Sequence, residues 1–243
     1  MDAHPVNIYE YEEIAKGKMG QGEYDFIAGG ATDEITLRRT RAVFDAIMLR
    51  PRMMVDISQR DLGTTVLGQD IRFPNMLDPA GNHAAAHPDG ELASARAAGA
   101  AGTILVLSAQ SSRTLEEVAQ AATGPLWFQS YVFKDRGLTL EMAHRAEAAG
   151  YAALCLTLDA KVKPKRERNI RNHYTGPASP NYAHVHVTGS PWSFGLDGPT
   201  GTNDLRDPAS TWADLDWLAA YTRLPLVVKG IMVGEDGRQA AEH

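Results

Sequence analysis

The residue most suited to chemistry is Lys229, which ends the apolar run 226–228 and is followed by Gly230. The run has the β-branched and aliphatic composition of a buried strand. A cation at the end of such a strand is costly unless an anionic or electron-rich group needs it. In α/β barrels the carboxyl ends of the strands carry the functional groups, so this position favours a binding or catalytic role.

Other apolar runs also end in polar side chains, namely Ser108, Gln129, Tyr131 and Thr157. If these runs are neighbouring parallel strands, their polar ends meet at one rim with Lys229. Such a rim suits a flat heteroaromatic ligand with several hydrogen-bonding edges. A cation facing the ring can stabilise negative charge that develops during reduction. Each side chain taken alone is more often a helix cap or a turn residue than part of a site, and only the series of them favours a site.

The order of elements predicts where these strands belong. From about residue 75, apolar runs alternate with Ala-rich helical segments, giving about five strand–helix units. This alternation predicts a parallel sheet covered by helices, and the absence of GxGxxG after the first strand weighs against a dinucleotide-binding fold. We expect two regions: a helical and hairpin extension over 1–75, and a partial barrel over 76–243. A long loop over about 160–210 is expected to act as a lid.

Within the extension, helices are predicted over 8–18 and 32–44, and a β-hairpin is predicted to turn at Gly68. Arg166 lies in the basic start of the long loop, and its planar guanidinium fits a carboxylate. Charge pattern alone equally allows a solvated loop arginine. Cys155, the only cysteine, lies in an apolar run and is predicted to be a buried thiol rather than a nucleophile. The histidine spacing does not predict a metal site.

Composition excludes several classes of protein. The hydrophobic fraction of 44% and the charged fraction of 22% are typical of a globular domain. The net charge of −6 gives no reason to expect a nucleic-acid-binding protein, since such proteins usually carry a basic face. The N-terminus lacks the pattern of a signal peptide, and no apolar run approaches the ~20 residues of a membrane span. We therefore expect a cytoplasmic protein.

Six motifs occur in the same order as in one known family. They are Tyr24-Asp25-Phe26-Ile27-Ala28-Gly29-Gly30-Ala31, Leu49-Arg50-Pro51-Arg52, Ala86-His87-Pro88-Asp89-Gly90-Glu91, Phe128-Gln129-Ser130-Tyr131, Leu156-Thr157-Leu158-Asp159 and Val228-Lys229-Gly230-Ile231. With them the chain resembles the FMN-dependent α-hydroxy acid oxidases and dehydrogenases, which include glycolate oxidase, lactate oxidase and mandelate dehydrogenase. The resemblance runs from about residue 8 to the last residue.

The resemblance implies a TIM (β/α)8 barrel that binds FMN and oxidises a small 2-hydroxy acid to the 2-oxo acid. It implies homo-oligomers, often tetramers. By the same resemblance Lys229 stands near the N1 and O2 edge of the flavin, and Tyr131 and Arg166 face the substrate. The further residues implied to contact FMN are Pro79, Ala80, Gly81, Ser108, Gln129 and Thr157.

The chain also departs from the family pattern. Phe26 stands where a tyrosine commonly holds the substrate carboxylate, and Gln110 stands where an aromatic residue often lines the pocket. The Ser-Asn-His-Gly-Gly type motif that carries the family's general base does not occur, and neither do the glycine-rich loops for the FMN phosphate. We therefore expect no catalytic residue in this sequence and a barrel truncated after about five units.

Two alternatives to an active oxidase remain open at this point. One is an inactive fragment of the family that lacks the base histidine. The other is a different FMN- or phosphate-binding barrel, such as a type 2 isopentenyl diphosphate isomerase, which the N-terminal motifs and the context of Arg166 disfavour.

Overall fold

The computed structural model of the protein describes residues 4–185 and 205–243. Its helices are α1 Ile8–Lys18, α2 Gln21–Ala28, α3 Ile35–Asp45, α4 Glu91–Ala101, α5 Leu115–Ala121, α6 Arg136–Ala148, α7 Glu167–Arg171, α8 Trp212–Ala219 and α9 Gly234–Glu242. Its strands are β1 Thr64–Val66, β2 Gln69–Ile71, β3 Leu105–Ser108, β4 Leu126–Ser130, β5 Ala153–Thr157 and β6 Leu226–Lys229. Short 3₁₀ turns occur at His83–Ala85 and Pro180–Tyr182.

The central element is a four-stranded parallel sheet in the order β3-β4-β5-β6, which confirms the predicted alternation. Ahead of β3 in the chain, one isolated parallel bridge joins Leu77 to Leu105. Backbone hydrogen bonds on either side of this bridge keep the segment beside β3. Five consecutive units of the chain therefore contribute to one parallel arrangement, with their carboxyl ends at the same edge.

The two faces of the sheet are covered differently because side chains alternate along each strand. One face packs against α4, α5, α6 and α8 and forms the main core, with Phe128, Leu154 and Leu156 from the strands against Met142 and Leu218 from the helices. The other face carries Ile104, Val106, Trp127, Ala153 and Cys155, which pack against Ile71 of the hairpin. No helix among the described residues contributes a buried side chain to this second cluster.

Capping side chains fix where the sheet-covering helices begin. Thr114 and Glu117 form a capping box at the start of α5, and Asp135 accepts a hydrogen bond from Gly137 at the start of α6. At the start of α8 the backbone N–H of Thr211 donates to Asp214 Oδ2 at 2.7 Å. These bonds satisfy backbone N–H groups at the helix starts.

The extension differs from its prediction in two places. The helix predicted over 32–44 begins only at Ile35, because Thr32 and Glu34 have positive φ angles of 46° and 55°. Helix α2 was not predicted from the sequence, where Gly29 and Gly30 follow directly after it. The predicted hairpin, by contrast, is present as the antiparallel pair β1 and β2.

The described part of the long loop packs against the extension rather than standing apart from it. Arg168 donates to Glu34 at 2.6 Å, Asn172 donates to Asp25 at 2.9 Å, and the backbone N–H of Thr32 donates to Lys165. This stretch contains α7 and the 180–182 turn, whereas 186–204 of the predicted lid lie outside the described residues. The division of the chain near residue 75 and the lid function of the loop stay predictions.

No helix within residues 4–185 and 205–243 is both long enough and apolar enough to span a bilayer.

The main core makes a direct prediction for stability. Leu154 is 1% exposed and packs in the helix-facing cluster, so Leu154→Ala removes buried methyl groups and leaves a cavity. We expect it to lower the free energy of unfolding by about 2–5 kcal/mol, measured by urea denaturation. Leu62→Ala is the matched control, because Leu62 is 65% exposed and its truncation should change stability by less than about 0.5 kcal/mol. Equal losses in both variants would contradict the assignment of the core.

Candidate functional site

The polar strand ends lie on the face of the sheet that the helices leave uncovered. Ser108 is two residues after Val106, Gln129 two after Trp127, and Thr157 two after Cys155, and the earlier member of each pair belongs to the second cluster. Lys229 follows Val227 in the same way. Since side chains two apart share a face, the four polar groups lie on one side.

The register brings these groups side by side. Ser108 pairs with Gln129, and Thr157 pairs with Lys229 across the parallel ladder. The Ser108 hydroxyl donates to Gln129 Oε1 at 3.2 Å, and Gln129 Nε2 donates to the backbone oxygen of Ser130 at 2.9 Å. Both side chains are buried, at 4% and 2% exposure. The structure thus brings together the four predicted donors from strands separated by up to 121 residues of sequence.

Lys229 faces an acidic residue from the opposite edge of the sheet, where the chain runs beside β3. Its Nζ lies 4.0 Å from a carboxylate oxygen of Asp78, which follows the bridged residue Leu77. The lysine side chain is 33% exposed and Asp78 is 79% exposed, so solvent screens the pair. Cys155 belongs to the second cluster and is influenced by both charges. Its burial raises the pKa of the thiol to about 11; the nearby Lys229 ammonium lowers this pKa and the Asp78 carboxylate raises it.

Gly230 is required by the geometry just after Lys229. Its φ is +101°, a conformation that L side chains rarely adopt, and a Cβ added there would lie 2.6 Å from Cγ of Asp159. The chain therefore turns sharply away from the rim after the lysine, and Asp159 fills the space beside the turn. This explains why glycine follows the cation.

The loop 79–82 also lies at this edge. The backbone N–H groups of Ala80 and Gly81 donate to no group among the described residues, whereas the N–H of Asn82 donates to Gln110 O at 3.1 Å. Asn82 is 3% exposed with φ of +59°, and its Oδ1 accepts no hydrogen bond from the described part of the chain. Backbone donors that remain available beside the rim are what a polar ligand requires.

Arg166 is placed against the extension. Its Nη1 donates to Phe26 O at 2.7 Å, its Nη2 donates to Gly29 O at 2.9 Å, and its Cζ lies 4.9 Å from the centre of the Phe26 ring. Burial lowers the pKa of this guanidinium from its ordinary value, with Glu34 opposing the shift. The structure thus joins two residues, 140 positions apart, that were both expected on the substrate side, and it directs both Nη groups of Arg166 to backbone carbonyls.

Tyr131 lies at the end of β4 beside a cleft that Thr157, Lys161 and Arg206 also line. The guanidinium carbon of Arg206 is 3.7 Å from the centre of the Tyr131 ring. Arg206 was not singled out from the sequence, because it comes at the end of the long loop in a stretch without periodicity. The sequence marks Arg206 only as a basic residue shortly before the start of α8, which predicts no particular contact.

A cavity of about 320 Å³ adjoins this cleft, with which it shares Lys161 and Ser210, and it extends to Leu156, Trp212 and Met232.

Four of the described histidines make side-chain contacts away from the polar strand ends. His83 bonds Ser94, His144 bonds Tyr221 O, His184 bonds Glu141 and His243 bonds Asp216, at 2.9 to 3.0 Å. Within 4–185 and 205–243 no three His, Cys, Asp or Glu side chains cluster as metal ligands.

A family model described as FMN-dependent dehydrogenase matches residues 15–243. The chain belongs to this FMN-dependent family. It is 45% identical to an L-lactate oxidase of Nostoc sp., across 98% of this chain and 68% of that protein, and 40% identical to glycolate oxidase 3 of Arabidopsis thaliana, across 98% and 66%. The chain spans about two thirds of the length of the curated relatives it matches.

The fold comparison agrees with the sequence comparison. The crystal structure of a (putative) lactate oxidase of Pediococcus acidilactici superposes with a TM-score of 0.87 at 30% identity, covering 100% of this chain and 64% of that one. The structural relatives are TIM-barrel FMN oxidases, so the parallel sheet is part of a barrel and the face that carries Lys229 is the barrel interior.

The residues present fit the FMN of this family. The hydroxyls of Ser108 and Thr157, the carboxamide of Gln129 and the ammonium of Lys229 all lie on the barrel-interior face. The backbone N–H groups of Ala80 and Gly81 are available beside them. Isoalloxazine offers both donor and acceptor atoms along its edge, and Gln129 can serve either kind. Ser108 and Gln129 bond each other in this structure, so these two would exchange that bond for bonds to the ring.

The turn after Lys229 yields a prediction. Gly230→Ala forces a side chain into a positive-φ position already filled by Asp159, so we expect the midpoint of thermal unfolding to fall, with a cost above the ~1–2 kcal/mol of the backbone conformation alone. Gly17→Ala is the control, because a Cβ at Gly17 meets no atom within 4 Å. A Gly230→Ala variant as stable as the wild type would show that the turn is not fixed.

The thiol gives a second prediction. A pKa of about 11 leaves Cys155 protonated at pH 8, whereas a free cysteine with pKa ~8.5 is partly ionised. We expect alkylation by iodoacetamide at pH 8 to be slower than for a cysteine peptide by on the order of 100-fold, since the thiolate is the reactive form. The rate should rise with pH up to about 11, measured by mass spectrometry; a plateau near pH 8.5 would contradict the burial.

Proposed function

We propose that the protein takes part in the FMN-dependent oxidation of a small 2-hydroxy acid to the 2-oxo acid. The observation that carries this proposal is the register that aligns Ser108, Gln129, Thr157 and Lys229 on the barrel-interior face. Bound FMN supplies the acceptor for the hydride that leaves the substrate carbon. The family membership supports the cofactor, and the lactate and glycolate oxidases among the relatives support the class of substrate.

Each residue of the set has a distinct task in this proposal. The Lys229 ammonium offsets negative charge that develops at the ring edge, which a fixed cation in a low-dielectric site does effectively. Ser108, Gln129 and Thr157 orient the ring through hydrogen bonds. Pro79, Ala80 and Gly81 would lie along the bound ring, with the N–H groups of Ala80 and Gly81 available to donate.

Tyr131 and Arg166 are assigned to the substrate side. Tyr131 follows directly after β4, the strand that carries Gln129, and lines a cleft together with Thr157. Arg166 acts through the position it gives Phe26, because its two Nη groups hold the carbonyls at the end of α2. In this assignment Phe26 contributes an apolar wall rather than a hydroxyl donor.

A second candidate is a protein that binds FMN without turning over 2-hydroxy acids. The histidine contacts favour it, because His83, His144, His184 and His243 each bond a group outside the donor set. Oxidation needs a general base within hydrogen-bond reach of the substrate hydroxyl. The two candidates share the flavin site and differ only in the proton transfer.

The flavin site is tested by titrating the chain with FMN and following the shift of the flavin absorbance bands. We expect saturable binding, and we expect Lys229→Met to weaken it about tenfold, equivalent to ~1.4 kcal/mol. Lys18→Met is the control, because Lys18 lies at the exposed end of α1. Equal affinity in wild type and Lys229→Met would remove Lys229 from the site.

The oxidation is tested separately by adding L-lactate, glycolate or (S)-mandelate to the FMN-loaded chain without oxygen. Bleaching of the visible absorbance band of the flavin with any of them supports oxidation. Bound FMN that none of the three bleaches would contradict oxidation by this chain and favour the second candidate.

A further inference from the structure

The motif 86–91 contributes no side chain to the flavin donor set, yet it ends in a fully buried carboxylate. Glu91 is 0% exposed and is the first residue of α4. Its Oε1 accepts hydrogen bonds from the backbone N–H groups of His83 at 3.0 Å and Ser112 at 2.9 Å, and its Oε2 accepts one from the Ser112 hydroxyl. An acidic group is stable in such a buried position only where donors compensate for the water it has lost.

Hydrogen bonds and a helix terminus, rather than a cation, hold this carboxylate. Within residues 4–185 and 205–243 Glu91 forms no salt bridge, and its bonds go to the donors named above. Its place in the first turn of α4 adds the positive end of the helix dipole. Glu91 therefore joins two backbone segments, the turn at 83–85 and the loop that follows β3.

Ser112 extends this connection to the next residue of the turn. While the Ser112 hydroxyl donates to Glu91, its oxygen accepts from Ala84 N at 3.1 Å. Gly90 leaves room for this close approach, because a Cβ at Gly90 would lie 2.9 Å from Ser112 Oγ, and its φ of +55° disfavours any L side chain. The start of α4, the turn and the loop are thus packed directly on one another.

A backbone bond continues the same connection toward the rim. Asn82 N donates to Gln110 O at 3.1 Å, so this N–H and the next two of the chain are all bonded to one loop, directly or through Glu91. The two preceding N–H groups, of Ala80 and Gly81, donate to no group in the described part of the chain. The bonded run of residues therefore ends where the N–H groups available to the flavin begin.

We propose that Glu91 is a positioning residue for flavin binding. It fixes the 83–85 turn against the loop after β3, and so sets where the N–H groups of Ala80 and Gly81 lie relative to the Ser108 hydroxyl. The inference rests on the proposed function for the identity of the ligand, and Glu91 acts only through these neighbours. Since donors that are already in place need not be ordered when a ligand binds, loss of the network should weaken FMN binding.

The first measurement is the FMN affinity of variants at the two side chains of the network. We expect Glu91→Ala to weaken binding about tenfold or more, because it leaves two N–H groups without their acceptor. Glu91→Gln should stay within about threefold of the wild type, because one amide oxygen can accept from both N–H groups. Ser112→Ala keeps the carboxylate and removes only the hydroxyl; we expect a loss of about threefold to tenfold, and this variant decides the test if Glu91→Ala does not fold.

The second measurement needs no flavin, because it follows amide hydrogen exchange by NMR in the FMN-free chain. We expect the amides of 80–84 to exchange at least about tenfold faster in Ser112→Ala than in the wild type, while those of β4 and β5 keep their rates. Unchanged exchange over 80–84 would contradict a role of the network in fixing the turn.

Thr139→Val is the matched control, because Thr139 is 2% exposed and accepts a hydrogen bond from Phe133 N at 3.0 Å. This variant also leaves a buried N–H without its acceptor, but it should change FMN affinity less than about twofold. Equal losses of FMN affinity in Thr139→Val and Ser112→Ala would overturn the inference, as would wild-type affinity in both Glu91→Ala and Ser112→Ala. A wild-type chain that does not bind FMN would count against the proposed function, and the exchange rates over 80–84 would still decide whether Glu91 fixes the turn.

Discussion

The parallel register of β3 to β6 is the constraint on which the rest of the structure depends. It aligns the carboxyl ends of the four strands, and the two-residue alternation of side chains then assigns each end to a face. Helices bury the opposite face, so the polar ends all point to the barrel interior. A slip of one residue in any strand would exchange its polar end for an apolar side chain and bury the polar group under a helix.

A second set of contacts determines what surrounds that interior. The described part of the long loop does not stand free, because Arg166 and Arg168 fasten it to the extension and Arg136 fastens its end to α8. The arginines therefore differ in the kind of partner they bind. Arg136, Arg166 and Arg168 satisfy carbonyls or carboxylates of the protein, whereas Arg206 stacks on Tyr131 with its charge uncompensated among the described residues. These arginines contact partners that are distant in the sequence, so the difference between them is not visible from local sequence.

The predictions from sequence succeeded where the signal was local. Apolar runs predicted β3 to β6, and the polar residue at each strand end followed from the run that it closed. They failed where the deciding contact was distant or conformational: α2 was hidden by Gly29 and Gly30, the start of α3 depended on the φ of Glu34, and the backbone partners of Arg166 lie 137 and 140 residues away. Arg206 could not be found for the same reason, since its partner precedes the whole loop.

The central claim is that the strand-end donors hold the flavin ring, and a crystal structure of the chain soaked or grown with FMN tests it most directly. The account predicts ring density against the barrel-interior face, with Ser108, Gln129, Thr157 and Lys229 within hydrogen-bond distance of its edge. Density for the ring in the cavity lined by Trp212 and Met232, with the four donors still bonded only to protein, would contradict it.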